Sequence, residues 1–156
     1  LLMALASGTC DVVMFPVGPF CDPRYVLEIL PRARALGAGT ICFKAFGAGK
    51  LVADTEGYGR PLSKRPRGKR PSGGEDDDAP RLARLSVEEC VRYALTCDPD
   101  VALLGLSSPN EQDAAFAAVD AYTPMSSAEM AETRRRAAHA IEGKGAVWWD
   151  PPRRAP

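Results

Sequence analysis

The stretch between residues 101 and 118, VALLGLSSPNEQDAAFAA, constrains the fold of this chain more than any other. Residues 101–104 are a continuous apolar run, which is typical of a strand covered on both faces in a parallel sheet. After a glycine, Ser108, Pro109 and Glu111 stand at the N-cap, N1 and N3 positions of a helix, where they complete a capping box. The stretch therefore predicts a strand, a tight turn and a helix, which is one unit of an α/β protein.

The first turn of this helix is a candidate anion site. It presents unpaired N–H groups and the positive end of the peptide dipoles at the carboxyl end of a buried strand, where phosphates bind in α/β proteins. An ordinary, well-capped turn that binds nothing is the alternative, since many barrel turns have the same pattern. This stretch alone leaves both interpretations open.

Two earlier strands repeat the pattern. Residues 11–16 form a short apolar strand, closed by Gly18 and its neighbouring prolines. A helix that should kink at Pro31 follows, and residues 39–44 form the next apolar strand, which ends in a turn with two glycines. Strands that alternate with helices form parallel sheets with right-handed crossovers. We therefore expect strands near 11–16, 39–44 and 101–105 to lie side by side in that order and to be parallel.

Two more helix starts are marked by capping boxes. Ser86 with Glu89 begins one helix, and Ser126 with Glu129 begins the last one. The five cysteines are scattered, odd in number and without a Cys-x-x-Cys pair, so we expect buried free thiols. No spacing of metal ligands occurs among them.

Composition excludes several kinds of partner. Lys plus Arg and Asp plus Glu number 20 each, so no net field recruits nucleic acid. No apolar run approaches the roughly 20 residues that span a bilayer, so we expect no membrane partner and a cytoplasmic location. Residues 60–81 hold a basic, proline-rich block and then an acidic one, which predicts a flexible loop or disordered insertion. The first residues, LLMALASG, resemble the last turns of a helix ending at Gly8, and we expect more chain upstream.

The run of strands and turns resembles the C-terminal part of an aldo/keto reductase, a NAD(P)H-dependent carbonyl reductase built on an eight-stranded barrel. The resemblance covers most of residues 1–122. The sixth strand of that family resembles DVVMFPVGPF, the seventh with its turn resembles GTICFKAFGAGKL, and the eighth, after a helix like LSVEECVRYAL, resembles VALLGLSSPNEQDAAFAA. The resemblance implies that residues 1–156 are the C-terminal portion of a (β/α)8 TIM barrel. This portion would comprise the last three β/α units and an extra C-terminal helix and tail in 123–156.

The resemblance also implies where a nicotinamide cofactor binds, at the turns after the seventh and eighth strands. Phe43 would face the nicotinamide ring. The turn beside the pyrophosphate would be shaped by Lys44, Phe46, Gly47 and Gly49. The adenosine phosphate would be held by the last turn and the helix start, at Gly105, Leu106, Ser107, Ser108, Glu111 and Gln112. A place in the barrel core is the alternative for the two phenylalanines, and a solvated rim position is the alternative for the lysine.

Some positions depart from the family pattern. Met14 stands where many members have a Gln that binds the carboxamide, and a thioether is only a weak acceptor. The basic residue for the 2′-phosphate would fall near Gly105 or Glu111, and the adenine-side Asn falls at Ala115. A carboxylate beside a 2′-phosphate is repulsive. The cofactor is therefore either NADP or NAD, and NAD is at least as well supported.

No catalytic residue is assigned. Family members carry their Asp, Tyr, Lys and His on the first half of the barrel, and no such segment is present here. His139, among arginines and alanines in the last helix, is predicted to be a surface residue. We therefore expect the cofactor-binding part of an oxidoreductase that acts on a small-molecule carbonyl substrate, with the fragment alone inactive.

Two other classes of function stay open. One is a phosphate-binding barrel of the isomerase or aldolase type, which would share the anion site; protection by a sugar phosphate and not by a dinucleotide would favour it. The other is a binding module without chemistry. A stable, monodisperse product of this length in cells would favour that second alternative.

Overall fold

The computed structural model describes residues 1–52, 83–106 and 109–142, without the side chains of 109–111. Its strands are β1 (Val12–Pro16), β2 (Gly39–Phe43) and β3 (Val101–Ala102). Its helices are α1 (Leu2–Ala6), α2 (Leu30–Ala35), α3 (Val87–Thr96), α4 (Pro109–Asp120) and α5 (Ser127–Ile141). The predicted insertion at 60–81 and the tail from 143 onward lie outside the described residues.

The predicted strand order is confirmed. Within the described residues the strands form one parallel sheet in the order β1-β2-β3. Val12 lies beside Gly39, and Ile41 lies beside Val101. Because all three strands run the same way, their carboxyl ends meet at one edge of the sheet.

The third strand is shorter and more exposed than the sequence predicted. It ends at Ala102, although the N–H of Leu103 still donates to the carbonyl of Cys42 at 2.7 Å. Val101 and Leu103 are 44% and 48% exposed, so the expectation of a strand covered on both faces is wrong. The reason is tertiary: in the described chain β3 is an edge strand, and helices cover only one face of the sheet.

The two faces of the sheet have different surroundings. On one face, Val13, Phe15 and Cys42 are buried in a cluster with residues from α1, α2 and α3. On the other face, Val12 and Met14 are each 50% exposed. Burial of the first face is the main apolar contribution of this sheet to folding, because burial of each large side chain contributes roughly 1.5–3 kcal/mol.

The predicted interruption near Pro31 takes the form of a change in helix geometry. A π-helical turn at Tyr25–Ile29 leads directly into α2. Pro31 stands at the start of α2, directly after this π-helical turn, and has no N–H to donate to the preceding turn. The ring of Tyr25 stacks on that of Phe15 with centroids 5.9 Å apart, which holds the π-helical turn against β1.

Two of the three predicted capping boxes are confirmed, and the third, Ser108 with Glu111, lies outside the described residues. The hydroxyl of Ser86 accepts from the N–H of Glu89 at 3.1 Å, and a Glu89 carboxylate oxygen accepts from the N–H of Ser86 at 2.9 Å. Ser126 and Glu129 repeat this arrangement at 3.3 and 2.7 Å. Residues only three positions apart therefore fix the starts of α3 and α5.

Each capping glutamate also pairs with an arginine of the other helix. Glu89 of α3 forms an ion pair with Arg136 of α5. Glu129 at the start of α5 lies 3.5 Å from the guanidinium of Arg92 on α3. The start of each helix is thus tied to a later turn of the other, which fixes α3 and α5 as an antiparallel pair.

The cysteines are free, as predicted, and all except the half-buried Cys10 are buried. Burial raises the pKa of Cys42 to about 12 and that of Cys97 to about 11, so these thiols stay protonated at neutral pH. His139 lies on the exposed side of α5 as expected and pairs with Glu142. Among the described helices, none is both long and apolar enough to cross a membrane.

Candidate functional site

The carboxyl ends of the strands bring the predicted site residues to one edge of the sheet. β2 leads into a turn at 44–50, and β3 leads into a turn at 103–106. The two turns begin side by side, because the N–H of Leu103 donates to the carbonyl of Cys42. Ligands of α/β proteins bind at this edge.

The turn after β2 is unusually rich in left-handed backbone. Lys44 has a φ of 69° and Ala48 a φ of 54°, values that side chains other than glycine rarely adopt. Gly47 and Gly49 take the same region at 57° and 79° without that cost. A left-handed residue with a side chain costs roughly 1–2 kcal/mol, and such strain is concentrated at functional sites.

Hydrogen bonds between residues close in sequence make this turn a compact unit. The N–H of Gly47 donates to the carbonyl of Lys44 at 2.9 Å, and the N–H of Leu51 donates to the carbonyl of Phe46 at 3.2 Å. Leu51 is fully buried, and its own carbonyl accepts from the N–H of Leu85 at 2.6 Å. The far end of the turn is therefore anchored in the core.

The two phenylalanines of the predicted site have different environments. Phe43 ends β2 and is half-buried on the open face of the sheet. Phe46 is buried in the main core beside Leu51 and Val52. Its ring therefore fills the core, which was the alternative stated for it, and only its backbone belongs to the turn.

Lys50 is a charged residue at this turn that the sequence analysis did not select. It is only 8% exposed, and burying an ammonium group is costly unless the group is paired. With Lys44, which is half-buried, it gives the turn two positive charges. Nothing in the sequence around Lys50 indicates burial, which only the tertiary structure reveals.

The turn after β3 is open. The N–H of Leu106 donates to the carbonyl of Leu104 at 3.1 Å, and both side chains pack on the main core. Gly105 is exposed, and a Cβ added to it would meet no atom of the described residues within 4 Å. Backbone is thus accessible to a ligand at this point.

The remaining predicted residues lie at the start of α4. Ser107, Ser108 and the side chain of Glu111 are outside the described residues. Gln112 is exposed. Ala115 is buried in the main core, so the structure does not support its placement on the adenine side of a ligand.

Residues at the opposite edge of the sheet have a structural role. One carboxylate oxygen of Asp100 accepts from the N–H of Thr40 at 2.8 Å and from its hydroxyl at 2.6 Å. These bonds, the hydroxyl bond first, hold the pKa of Asp100 below its usual value. Arg34 binds the carboxylate of neighbouring Asp98 at 2.6 Å. Such contacts at the amino ends of strands contribute to stability rather than to ligand binding.

In the described part of the chain, no group of three or more His, Cys, Asp or Glu side chains could hold a metal ion. This edge carries backbone N–H groups, the half-buried Lys44 and the half-buried ring of Phe43. Those groups suit an anionic, ring-containing ligand.

Comparison with known proteins identifies the fold. No protein-family model matches the chain, and no curated protein sequence matches it. Among solved structures the chain is similar to an aldo-keto reductase from Bacillus halodurans. The apo form gives a TM-score of 0.53 at 19% identity over 94% of this chain and 48% of that one. The holo form gives 0.52 at 20% identity over 94% and 47%.

The chain thus spans about half the length of these solved structures. At this level of identity the similarity concerns the fold. The resemblance to an aldo/keto reductase, first seen in the strand and turn motifs, is confirmed as a shared fold.

Proposed function

We propose that this chain is the cofactor-binding, C-terminal part of an aldo/keto reductase-like oxidoreductase. The whole enzyme would transfer hydride between a nicotinamide cofactor and a small carbonyl or alcohol substrate. One observation carries the proposal: in a fold similar to half of an aldo-keto reductase, the strained turn at 44–50 and the open turn at 103–106 begin side by side.

The open face of the sheet supports the barrel part of this proposal. Met14, Ile41 and Val101 are neighbours across the three strands, and they lie on the face that no described helix covers. In a closed (β/α)8 barrel this face of every strand packs into the interior. The remaining strands of such a barrel would cover it.

The two turns fit the two ends of a dinucleotide. At the turn after β2, the N–H of Gly49 and the ammonium of Lys44 would hold the pyrophosphate, while Gly47, whose N–H donates to the carbonyl of Lys44, would shape the turn. The turn after β3, from Gly105 to Gln112, would hold the adenosine end. Phe43 would orient the nicotinamide ring, which supplies or accepts the hydride when the cofactor is bound.

The proton for a carbonyl oxygen would come from another part of the enzyme. Tyr93 is 3% exposed and accepts a hydrogen bond from Arg134 at 3.1 Å. Burial raises its pKa, and its place in the core keeps it from a substrate. The chain alone would therefore bind cofactor without reducing carbonyls or oxidising alcohols.

Titration of the purified chain with NADH and NADPH, followed by nicotinamide fluorescence, tests this proposal. We expect binding of one or both, without turnover of an aldehyde. Lys44→Ala should weaken binding about tenfold, the effect of losing one charge-assisted contact. Lys64→Ala, which changes the same residue type in the predicted insertion, should leave it unchanged.

Three outcomes would contradict the proposal. The first is absence of binding by either dinucleotide, and the second is aldehyde turnover by the chain alone. The third is stabilisation by a sugar phosphate and not by a dinucleotide, which would instead favour the isomerase or aldolase type of barrel.

A further inference from the structure

The turn after β1 packs against the turn after β2, backbone against backbone. Gly18, just beyond β1, is buried. A Cβ built on it would lie 3.0 Å from the carbonyl oxygen of Lys44, 3.1 Å from that of Ala45 and 3.2 Å from the Cα of Ala45. All three are backbone atoms, so no side chain can rotate away to make room. Only glycine fits this position without displacing the neighbouring turn.

The carbonyl oxygen of Lys44, the atom nearest to a Cβ built on Gly18, also closes the turn after β2, because it accepts from the N–H of Gly47. Lys44 is already in the left-handed region, where the range of allowed angles is narrow. Displacing its carbonyl by a few tenths of an ångström would therefore redirect both the lysine side chain and the N–H of Gly47.

Hydrogen bonds of the neighbouring residues hold the segment around Gly18 in place. The preceding N–H, of Val17, donates to the carbonyl of Phe43 at 2.9 Å. The carbonyl of Gly18 accepts from the N–H of Cys21 at 3.0 Å, and Arg134 of α5 donates to the carbonyl of Cys21 at 3.4 Å. An added methyl group therefore displaces the strained turn after β2 rather than the segment that carries it.

From this packing we infer that Gly18 is a positioning residue for the pyrophosphate end of the cofactor. It acts through the turn at 44–50 and contacts no ligand itself, and the inference rests on the proposed function. The three atoms nearest to a Cβ on Gly18 all belong to the turn after β2, so a substitution of Gly18 should disturb the pyrophosphate end of the site and leave the adenosine end in place. A ligand with only the adenosine end should not sense the change.

Gly18→Ala and Gly39→Ala form a matched pair for the test. A Cβ on Gly39 would lie 3.5 Å from a methyl of Val12 and 3.7 Å from the carbonyl of Asp11, which are ordinary contacts. The dissociation constants of the dinucleotide that the unchanged chain binds and of 5′-AMP are measured for both variants. We expect Gly18→Ala to weaken the dinucleotide about tenfold and to leave 5′-AMP unchanged, whereas Gly39→Ala changes neither.

The possible failures are distinguishable. If the unchanged chain binds no dinucleotide, both the proposed function and this inference are overturned. If it binds and Gly18→Ala binds equally well, only the inference is overturned. An equal loss of dinucleotide and 5′-AMP would also overturn it, because that pattern reports general damage to the fold.

A second measurement needs no ligand. The amide resonances of Gly47 and Gly49 should shift in Gly18→Ala and stay in place in Gly39→Ala. Resonances that do not move in the first variant would contradict the inference.

Discussion

Asp100 uses one carboxylate oxygen to hold the edge strand β3 against β2. That oxygen accepts both the backbone N–H and the hydroxyl of Thr40, and the hydroxyl in turn accepts from the N–H of Asp100 at 3.0 Å. The carboxylate is the better acceptor, so its pKa lies below the ordinary value of 3.8. Ionisation of this side chain and the register of β3 are therefore linked.

This link predicts a dependence of stability on acid pH. With a lowered folded pKa, the contribution of Asp100 is fully present above about pH 4 and is lost as the pH falls through the folded pKa. Asp100→Asn, which cannot ionise, should be less stable at neutral pH and should lose part of the acid dependence. Urea unfolding over a pH series measures this, with Asp120→Asn, a change at the exposed end of α4, as the control. An unchanged acid dependence in Asp100→Asn would show that the link is absent.

At the residue scale the sequence predicts glycine-rich backbone and misses contacts between distant segments. Gly47 and Gly49 were assigned to a turn because their composition marks one. Nothing in the sequence indicates that Lys44 adopts a left-handed conformation, since that follows from how the turn is anchored. In the sequence Gly18 indicates only the end of a strand, because its packing depends on a turn more than twenty residues further along the chain.

At the scale of elements, α3 and α5 stabilise each other through their starts. Glu89 serves both the capping box of α3 and the ion pair with Arg136, and Glu129 does the same for α5 with Arg92. In each case the capping box holds the glutamate carboxylate where the arginine of the neighbouring helix can bind it. Loss of the capping serine should therefore weaken both the helix start and the contact between the two helices.

Ser86→Ala should therefore lower the free energy of unfolding by about 1 kcal/mol, the usual cost of losing an N-cap hydroxyl. Ser127→Ala, at the first residue of α5 and exposed, gives a matched control with little expected change. Urea unfolding followed by circular dichroism provides both values. A loss in Ser86→Ala no larger than in the control would show that this cap contributes nothing measurable.

Helix starts were predictable, since their signals lie within four residues. Ser86 with Glu89 is sufficient to mark α3, whatever the rest of the chain does. The π-helical turn at Tyr25–Ile29 was not predictable, because apolar spacing does not separate π from α geometry over five residues. The length of β3 was overestimated for a related reason: an apolar run reports composition and not the neighbours that would pair with it.

At the scale of the whole molecule, the sheet has an uncovered apolar face. Val12, Met14, Val101 and Leu103 are each 44–50% exposed, on the face opposite the helices. Exposed apolar surface of this kind is a site of association unless another element covers it. The alternation of strands and helices predicts the order of the strands. It does not predict this exposure, because an apolar strand has the same sequence pattern whether or not its second face is covered.

The isolated chain should therefore associate through this face. Met14→Lys places a charge in its middle and should shift sedimentation toward monomer. Leu27→Lys makes a comparable change at a side chain that is 72% exposed in the π-helical turn. This control should not shift the sedimentation. A monomeric unchanged chain, or an equal response to both substitutions, would contradict this expectation.

The position of β3 in the chain also sets the order in which the sheet assembles. Thr40 and Asp100, which join β2 to β3, are 60 positions apart, whereas a single short helical segment connects β1 to β2. Closing the longer loop costs more chain entropy, and the two-residue strand recovers little of it. We therefore expect the β1–β2 unit to form early and β3 to join late, so that the turn leading from β3 is completed only in the last stage of folding.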